Sequence, residues 1–434
     1  MSTYVPEMYG SAGNARSQWV RRVLLIAGLV LLAFWAAIWT ISLRKNYLVL
    51  GQYTRIPCFP YLSCDFDINY YATRTWIAGG DPYQSYRKGL GQFEGGFTHK
   101  YDHPPLVLAL FTWCLPVSHQ SAVILWFIVQ TAVFSLAVVT CWRSRNNLDL
   151  FRVPLPLLLA AFLFSFPVLF ELERGNWNML VLLFLLLTVM ALRGRSRWCD
   201  FLAGAFAGIA TWIKIYPALL LLGLLALRRW RAAGSFAVVV LLIGLCDIQG
   251  ALEFAENIKE SARFSTPDYE GGFISCSHTV SGSWLLLCRN AHLNWLGHLP
   301  GAAGWGLLVF PVVLWVSYWV SRVPEPSRLI YPYFLWLMAS ATYLPPIAND
   351  YSLFFLPLAA LAVWDCRDRA ILHVLMVFLL IWWQPITPPL SNKDLYYCKL
   401  VSLVSVALLL VVRAWEQIKV GHQDERIGCF APAP

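Results

Sequence analysis

The sequence predicts an all-α protein that crosses a membrane many times, and three observations support this fold class. Of its 434 residues, 58% are hydrophobic and 13% are charged, whereas soluble domains carry about 25% charged residues. Residues 23–43, VLLIAGLVLLAFWAAIWTISL, contain no charge and would form a helix of about 32 Å, which is long enough to cross the hydrocarbon core. Arg44 and Lys45 follow this run and many apolar runs come later, so it is not a cleavable signal peptide.

Ten apolar segments are predicted as full membrane spans, and three shorter segments break the pattern. Residues 104–117 are too short to cross upright and are predicted as an interfacial or re-entrant helix on the outer side. Residues 200–213 and 217–228 are separated by KIYP and are expected to enter the membrane and return. Lipid tolerates such a broken hairpin only where its turn is buried in protein or lines a cavity. The predicted total is twelve crossings, with both termini in the cytoplasm. The full spans are residues 20–43, 120–142, 153–170, 177–193, 233–249, 301–320, 328–345, 351–365, 370–384 and 399–413.

The distribution of basic residues predicts the orientation of the chain. Its net charge of +9 comes from arginine clusters in short connections, which the positive-inside rule places in the cytoplasm beside lipid headgroups, so no nucleic-acid partner is implied. Two long loops, 44–104 and 250–300, then lie outside. The expected organisation is a cytoplasmic segment 1–19, a membrane domain 20–415 and a cytoplasmic tail 416–434. The expected location is the cell membrane, with any active site on the extracytoplasmic face.

Cysteine usage argues against a structural zinc site. The eleven cysteines include no CxxC pair and no His/Cys ligand spacing, so no structural zinc is expected. Cys58 with Cys64, or Cys276 with Cys288, would be disulfide pairs if the outer compartment is oxidising. The pairing does not follow from the sequence.

The first long loop carries the acidic and aromatic stretch SCDFDINYYATRTWIAGGDPYQ, residues 63–84. Asp65 and Asp67 lie in a part of it with helical character. A carboxylate there either caps the helix or, at the mouth of a membrane cavity, acts as a general base. Tyr70 and Arg74 follow on the same predicted helix and are candidate substrate contacts.

Other candidate residues lie in short polar segments between apolar ones. His103, in YDHPPL, is either a hydrogen-bonded turn residue or part of the site. Arg174, Asn176 and Asn178, in ERGNWN, are hydrogen-bond donors around a glycine that permits a tight turn. Asp350 begins a span, where an acidic residue commonly offsets the helix dipole.

Cationic candidates lie in the broken hairpin and in the second long loop. Lys214 either extends to the membrane surface or binds a lipid phosphate. The second loop contributes His278 and Arg289, within CSHTVSGSWLLLCRN. The sequence contains no nucleophile elbow, HExxH, P-loop or GxGxxG motif.

Taken in order, these motifs resemble glycosyltransferase family 87. The resemblance covers most of residues 20–415 and rests on DFDINYYATRTWIAGGDPY, PPLVLALFTWCLP, GNWNMLVLLFLLL, AGAFAGIATWIKIYPALLLL, SHTVSGSWLLLCR and NDYSLFFLPLAAL. It implies the integral-membrane C-type glycosyltransferase fold and a polyprenyl-phosphate sugar donor. Asp65 matches the family's base, in the pattern D-[FL]-x-[VI], with Asp67 as second choice, and Lys214 matches the lysine of a K-x-x-P element. The chain differs from the family in its YDHPP segment and in its long, cysteine-containing first loop. These differences bear on the identity of the acceptor rather than on the class of reaction.

The resemblance implies that a hexose, with mannose favoured, moves from a polyprenyl-phosphate donor to a hydroxyl of a lipid or glycan acceptor. Asp65 would accept the hydroxyl proton, and the anomeric centre would invert. Cations would stabilise the leaving phosphate; the candidates are Lys214, Arg174 and Arg289, then His278 and His103. Tyr70, Arg74, His103, Asn176 and Asp350 would contact substrates. No metal or other cofactor is required.

Two other function classes remain open from the sequence. A sugar or lipid transporter or flippase predicts ionisable residues in mid-span and repeat symmetry, whereas the predicted spans here are nearly free of charge. A polysaccharide polymerase or ligase would use a polyprenyl-diphosphate donor. The identity of the released lipid, monophosphate or diphosphate, distinguishes that reaction from the one above.

Overall fold

The structure, a computed structural model, describes residues 10–54, 56, 62–83, 101, 103–143, 153–194, 196–264, 301–324, 326–343, 350–364, 369–386 and 392–428. Every regular element in these ranges is helical, and no strand occurs within them, which confirms the all-α class. In chain order the α-helices are α1 (Gly10–Lys45), α2 (Cys64–Ile77), α3 (Pro105–Phe111), α4 (His119–Arg143), α5 (Leu155–Leu163), α6 (Phe166–Arg174), α7 (Asn178–Leu192), α8 (Arg197–Ile213), α9 (Leu220–Ala226), α10 (Trp230–Cys246), α11 (Ile248–Phe264), α12 (Gly301–Leu308), α13 (Phe310–Ser321), α14 (Ile330–Ala341), α15 (Phe355–Val363), α16 (Arg369–Trp383) and α17 (Asn392–Gly428).

Three helices are long and apolar enough to cross a membrane: α1 over Gln18–Lys45, α4 over its whole length, and α17 over Tyr397–Val420. Two bent helix pairs raise the number to five if each pair is one span, and the other apolar helices are shorter. The predicted twelve crossings therefore stay a prediction. On α1, the side chains of Ile26, Val30 and Phe34 are more than half exposed. A charge-free surface of this kind is suited to lipid rather than to water.

The predicted span 153–170 is bent rather than straight. Helix α5 ends at Leu163, and α6 begins at an angle of 62° to it. The cause is local, because Ser165 is extended and Pro167 in the first turn of α6 cannot continue the preceding helix. The bend directs α6 into the protein, where all its residues are buried.

The predicted break between two short helices is confirmed at Lys214. Helix α8 ends at Ile213, and Lys214 is extended, with φ −143° and ψ 144°. A 3₁₀ turn at Tyr216–Leu219, which contains Pro217, leads into α9. The lysine therefore lies in non-helical backbone between two apolar helices.

The predicted span 233–249 ends at Cys246, and α11 then leaves at 100° to α10. The side chain of Asp247 accepts a hydrogen bond from the Gly250 N–H at 2.9 Å, which caps the new helix. The predicted loop 250–300 thus begins as a helix. Asn257 on α11 donates to the carbonyl of Tyr101 at 2.6 Å, so this helix packs over the end of the first loop.

A short helix within the predicted segment 104–117 is confirmed, as α3 followed by a 3₁₀ turn at Thr112–Cys114. Its place on the outer side stays a prediction. At the chain ends, the predicted segment 1–19 is helical from Gly10. The predicted tail 416–434 is helical as far as Gly428, as a continuation of the last membrane helix.

Candidate active site

Helix α2 carries both aspartates of the first loop and begins against the end of α6. Ser63, just before the helix, adopts the left-handed conformation with φ 65°, and its N–H donates to the carbonyl of Glu173 at 2.7 Å. Two positions along a helix correspond to a rotation of about 200°. Asp65 and Asp67 therefore face different parts of the protein.

Asp65 faces the segment that follows α6. The side-chain amide of Asn176 donates to Asp65 Oδ2 at 2.6 Å, and Arg174 Nη1 lies 3.8 Å from Asp65 Oδ1. The Asp65 side chain keeps 17% of its surface exposed, whereas that of Arg174 keeps only 6%. Asp65 is thus oriented by an amide and paired with a buried cation, and it stays accessible. It does not cap its own helix, because the capping position is Ser63.

Cys64 belongs to the same contact network. Arg174 Nη1 donates to Cys64 Sγ at 2.9 Å, and burial raises the pKa of this thiol well above its usual range. Cys64 is a free cysteine in the structure, and the other cysteines of the two candidate pairs, Cys58, Cys276 and Cys288, lie outside the described residues.

The turn between α6 and α7 is held rigidly. Gly175 has φ 66°, a left-handed conformation that favours glycine, and a Cβ there would lie 3.0 Å from the Cβ of Phe66. Trp126 on α4 donates to the Gly175 carbonyl at 2.8 Å, and Gln130, one turn further along α4, donates to the Asn176 carbonyl at 2.6 Å. The membrane helix α4 therefore fixes the backbone that presents Asn176 to Asp65.

The other end of this turn is connected to the Lys214 segment. The N–H and side-chain amide of Asn178 donate to the two carboxylate oxygens of Glu171 at 3.0 and 2.9 Å. The hydroxyl of Tyr216 donates to Asn178 Oδ1 at 2.6 Å. Tyr216 lies two residues after Lys214, whose side chain is partly exposed. The turn that orients Asp65 at one end thus anchors the lysine segment at its other end.

The side chain of His103 is buried, and the charges of Lys214 and Asp65 both act on it. The hydroxyl of Tyr83 donates to its carbonyl at 2.9 Å. Burial lowers the pKa of the imidazole well below its usual value; the positive charge of Lys214 lowers it further and the negative charge of Asp65 opposes this. The charges of Lys214 and Asp65 thus both influence this buried ring.

Asp67 faces His119, the first residue of α4. The distance from His119 Nε2 to Asp67 Oδ1 is 2.7 Å. Burial raises the pKa of Asp67, and the hydrogen bond and charge of His119 oppose the shift. His119 is not recognisable as a site residue from the sequence, because its partner lies 52 residues away. The one available signal was its place at the start of an apolar run.

The remaining predicted residues are only partly described. Tyr70 is buried, and the guanidinium of exposed Arg74 lies 6.0 Å from the centre of its ring. Asp350 begins the 3₁₀ turn Asp350–Phe354, which packs against α6. His278 and Arg289 lie outside the described residues. Within the described part of the chain, no group of three or more His, Cys, Asp or Glu side chains is placed to hold a metal ion.

The fold and the site define a multi-pass membrane protein whose polar groups gather where its helices break or end. The model of glycosyltransferase family 87 matches residues 101–331, more than half of the chain, and the chain belongs to this family. It is therefore a membrane glycosyltransferase. The matched region includes His103, Arg174 and Lys214, whereas α2 precedes it. No curated protein matches the chain.

Proposed function

We propose that this enzyme transfers a hexose, with mannose favoured, from a polyprenyl-phosphate donor to a hydroxyl of a lipid or glycan acceptor, inverting the anomeric centre. The observation that carries the proposal is the short turn between α6 and α7. Asn176 in this turn bonds the candidate base Asp65, and Asn178 bonds Tyr216 beside the candidate phosphate ligand Lys214. A base and a cation that are held by one turn suit a substitution at C1 of the sugar, in which a hydroxyl attacks and a phosphate leaves.

Asp65 is proposed as the general base. The acceptor oxygen forms a bond to C1 of the sugar while the bond from C1 to the phosphate oxygen breaks. The hydroxyl proton passes to Asp65, and the electron pair leaves with the polyprenyl phosphate. Asn176 and Arg174 hold the carboxylate, and the exposed part of its surface admits the hydroxyl.

Lys214 is proposed to stabilise the negative charge that develops on the leaving phosphate. Its backbone is non-helical and its side chain is partly exposed, which suits contact with a lipid phosphate at the membrane surface. The guanidinium of Arg174 is buried against Cys64 and Asp65, so orienting Asp65 suits it better than contact with phosphate. Arg289 and His278 remain proposed further phosphate ligands, and His103 is a neutral neighbour of the same region.

The proposed orientation places this site on the extracytoplasmic face of the cell membrane. The support is the arginine-rich short connections, which favour the cytoplasm. A polyprenyl-phosphate sugar suits that face because its lipid tail lies among the apolar helices and no nucleotide is needed. The proposed mechanism uses protein side chains alone.

The test is Asp65→Asn in membranes supplied with a polyprenyl-phosphate hexose. We expect turnover to fall at least 10²–10³-fold, because the amide cannot accept the proton. Asp67→Asn on the same helix tests the second-choice base, and a loss of turnover as large as that of Asp65→Asn would assign the proton to Asp67 instead.

Two product analyses complete the test. The anomeric configuration of the product, compared with that of the donor by NMR, should be inverted. The released lipid should be a monophosphate; release of a diphosphate would instead indicate a polymerase or ligase. Asp65→Asn activity within tenfold of the wild type would remove Asp65 from the base role.

A further inference from the structure

We propose that the start of α4 and the middle of α2 form a binding subsite for a pyranose ring of the acceptor, so that the acceptor is itself a glycan or glycolipid. This inference rests on the proposed function and names the substrate class. The subsite, called here the aromatic subsite, consists of Asp67, Tyr70, Tyr71 and His119.

The geometry of the aromatic subsite centres on the imidazole of His119. The ring of Tyr71 stacks on it with 6.0 Å between centroids and an angle of 22°. The ring of Tyr70 meets it edge-on at 5.0 Å and 77°, and the ring of Phe66 meets it at 6.0 Å and 62°. The hydrogen bond to Asp67 fixes the remaining rotation of the imidazole. The side chains are therefore held before any ligand arrives.

This group of side chains has the chemistry that a sugar ring requires. A pyranose presents C–H groups on its faces and hydroxyls around its edge, and aromatic faces carry the partial negative charge that attracts C–H groups. When His119 Nε2 carries the proton and donates it to Asp67, the other ring nitrogen, Nδ1, can accept a hydrogen bond from a sugar hydroxyl. The second carboxylate oxygen of Asp67 can accept another.

The exposure of these residues supports a binding role over a packing role. The side chain of His119 is 38% exposed and that of Asp67 is 16% exposed, and Tyr71 is partly exposed. Phe66 and Tyr70 are buried beneath them. An accessible imidazole bonded to a carboxylate offers a ligand polar contacts that packing alone does not require.

The position of the aromatic subsite favours the acceptor over the donor. The proposed base Asp65 faces Asn176, whereas Asp67, about 200° further around α2, faces His119. A sugar at His119 is therefore separate from the hexose being transferred. His119 also begins a candidate membrane span, so it lies near the membrane surface, where the glycan of a lipid-anchored acceptor would emerge.

The kinetic test uses purified full-length enzyme, a polyprenyl-phosphate hexose donor, and octyl mannoside and octyl glucoside as acceptors. We expect Tyr71→Ala to raise the acceptor KM about tenfold while the donor KM stays within twofold. Tyr71→Phe keeps the ring and should behave like the wild type. Trp76→Ala removes an exposed aromatic residue of the same helix outside the subsite and is the matched control. An unchanged acceptor KM, or a rise in the donor KM instead, would overturn the proposal.

A binding test separates this inference from the proposed reaction. Saturation-transfer NMR with methyl mannoside and methyl glucoside is measured on Asp65→Asn protein, which keeps the aromatic subsite. At least one hexoside should show transfer from aromatic protons, and adding Tyr71→Ala should abolish it. If neither binds, or if binding survives Tyr71→Ala, the subsite is excluded. If a hexoside binds as expected but no polyprenyl-phosphate hexose supports transfer, the proposed function fails and the subsite stands.

Discussion

The side-chain amide of Asn176 donates a hydrogen bond of 2.6 Å to Asp65 Oδ2, which joins residues 111 positions apart in the chain. Two residues later, Asn178 accepts a bond of equal length from the hydroxyl of Tyr216. One short turn between α6 and α7 therefore connects the first loop to the broken hairpin. This connection makes the proposed base and the proposed phosphate ligand parts of one structure.

Replacing Asn176 should reduce catalysis by loosening Asp65. A hydrogen bond to a charged group contributes about 1.5–3 kcal/mol, so Asn176→Ala should lower turnover roughly tenfold to a hundredfold. The KM for the donor should change little, because the amide does not contact the donor phosphate in this mechanism. Steady-state kinetics checks this, and a variant that changes donor KM alone would place Asn176 in donor binding instead.

Removing the hydroxyl of Tyr216 should affect turnover as well as stability. Tyr216→Phe loses the 2.6 Å bond to Asn178 and frees the segment that carries Lys214. Tyr333→Phe is a matched control, because its hydroxyl donates a buried 2.7 Å bond to Ser317. Both variants should lose about 1 kcal/mol of stability. We expect only Tyr216→Phe to lower turnover, by several-fold or more; equal turnover in the two would indicate a purely structural bond.

Alanine at Gly175 should disrupt the turn far more than alanine at Gly79. Both glycines have positive φ, so each substitution carries a conformational cost of about 1–2 kcal/mol. A Cβ at Gly175 would also crowd Phe66 and Ser63, at 3.0 and 3.2 Å, whereas nothing lies within 4 Å of a Cβ at Gly79. Thermal unfolding in detergent should show the larger loss for Gly175→Ala, together with reduced transfer activity. Equal losses would mean that the contact with α2 is not tight.

Acidification should destabilise the protein through His103. Because burial lowers the pKa of this imidazole well below 6.5, only the unfolded chain binds the proton between that lowered pKa and 6.5. Stability is therefore fully present above pH 6.5 and falls below it, by at most about 1.4 kcal/mol per pH unit. Between pH 7.5 and 5.5, the wild type should lose more thermal stability than His103→Gln. If the two proteins lost the same thermal stability, His103 would bind its proton in the folded state as readily as in the unfolded chain.

Several features of the fold were predictable because their causes are local. The break at Lys214 follows from a proline three residues later, and the turn at Gly175 follows from a glycine between two apolar runs. The bend at Ser165 has a local cause in Pro167, and the bend at Asp247 has one in its capping carboxylate. Neither bend was predicted, because each lies within a continuous apolar run.

The candidate site was only partly predictable, because its contacts join distant segments. Asp65, Asn176 and Lys214 were each noticed as polar residues in apolar surroundings. The hydrogen-bond partners of Asn178 and Asp67 were not, because a glutamate inside an apolar helix, a histidine before a span and the tyrosine within KIYP carry no distinctive local pattern. These partners are Glu171, His119 and Tyr216.

The sequence by itself determined that this protein is helical, lies in a membrane and belongs to a glycosyltransferase family, because hydrophobicity, backbone breaks and ordered motifs are properties of contiguous residues. Only the tertiary structure decided that Asp65 and Asp67 face different partners, and that one turn holds the groups around Asp65 and Lys214 together. The physical reason is that a hydrogen bond depends on the distance between two atoms in space. The packing of whole helices sets that distance, and no local pattern records it.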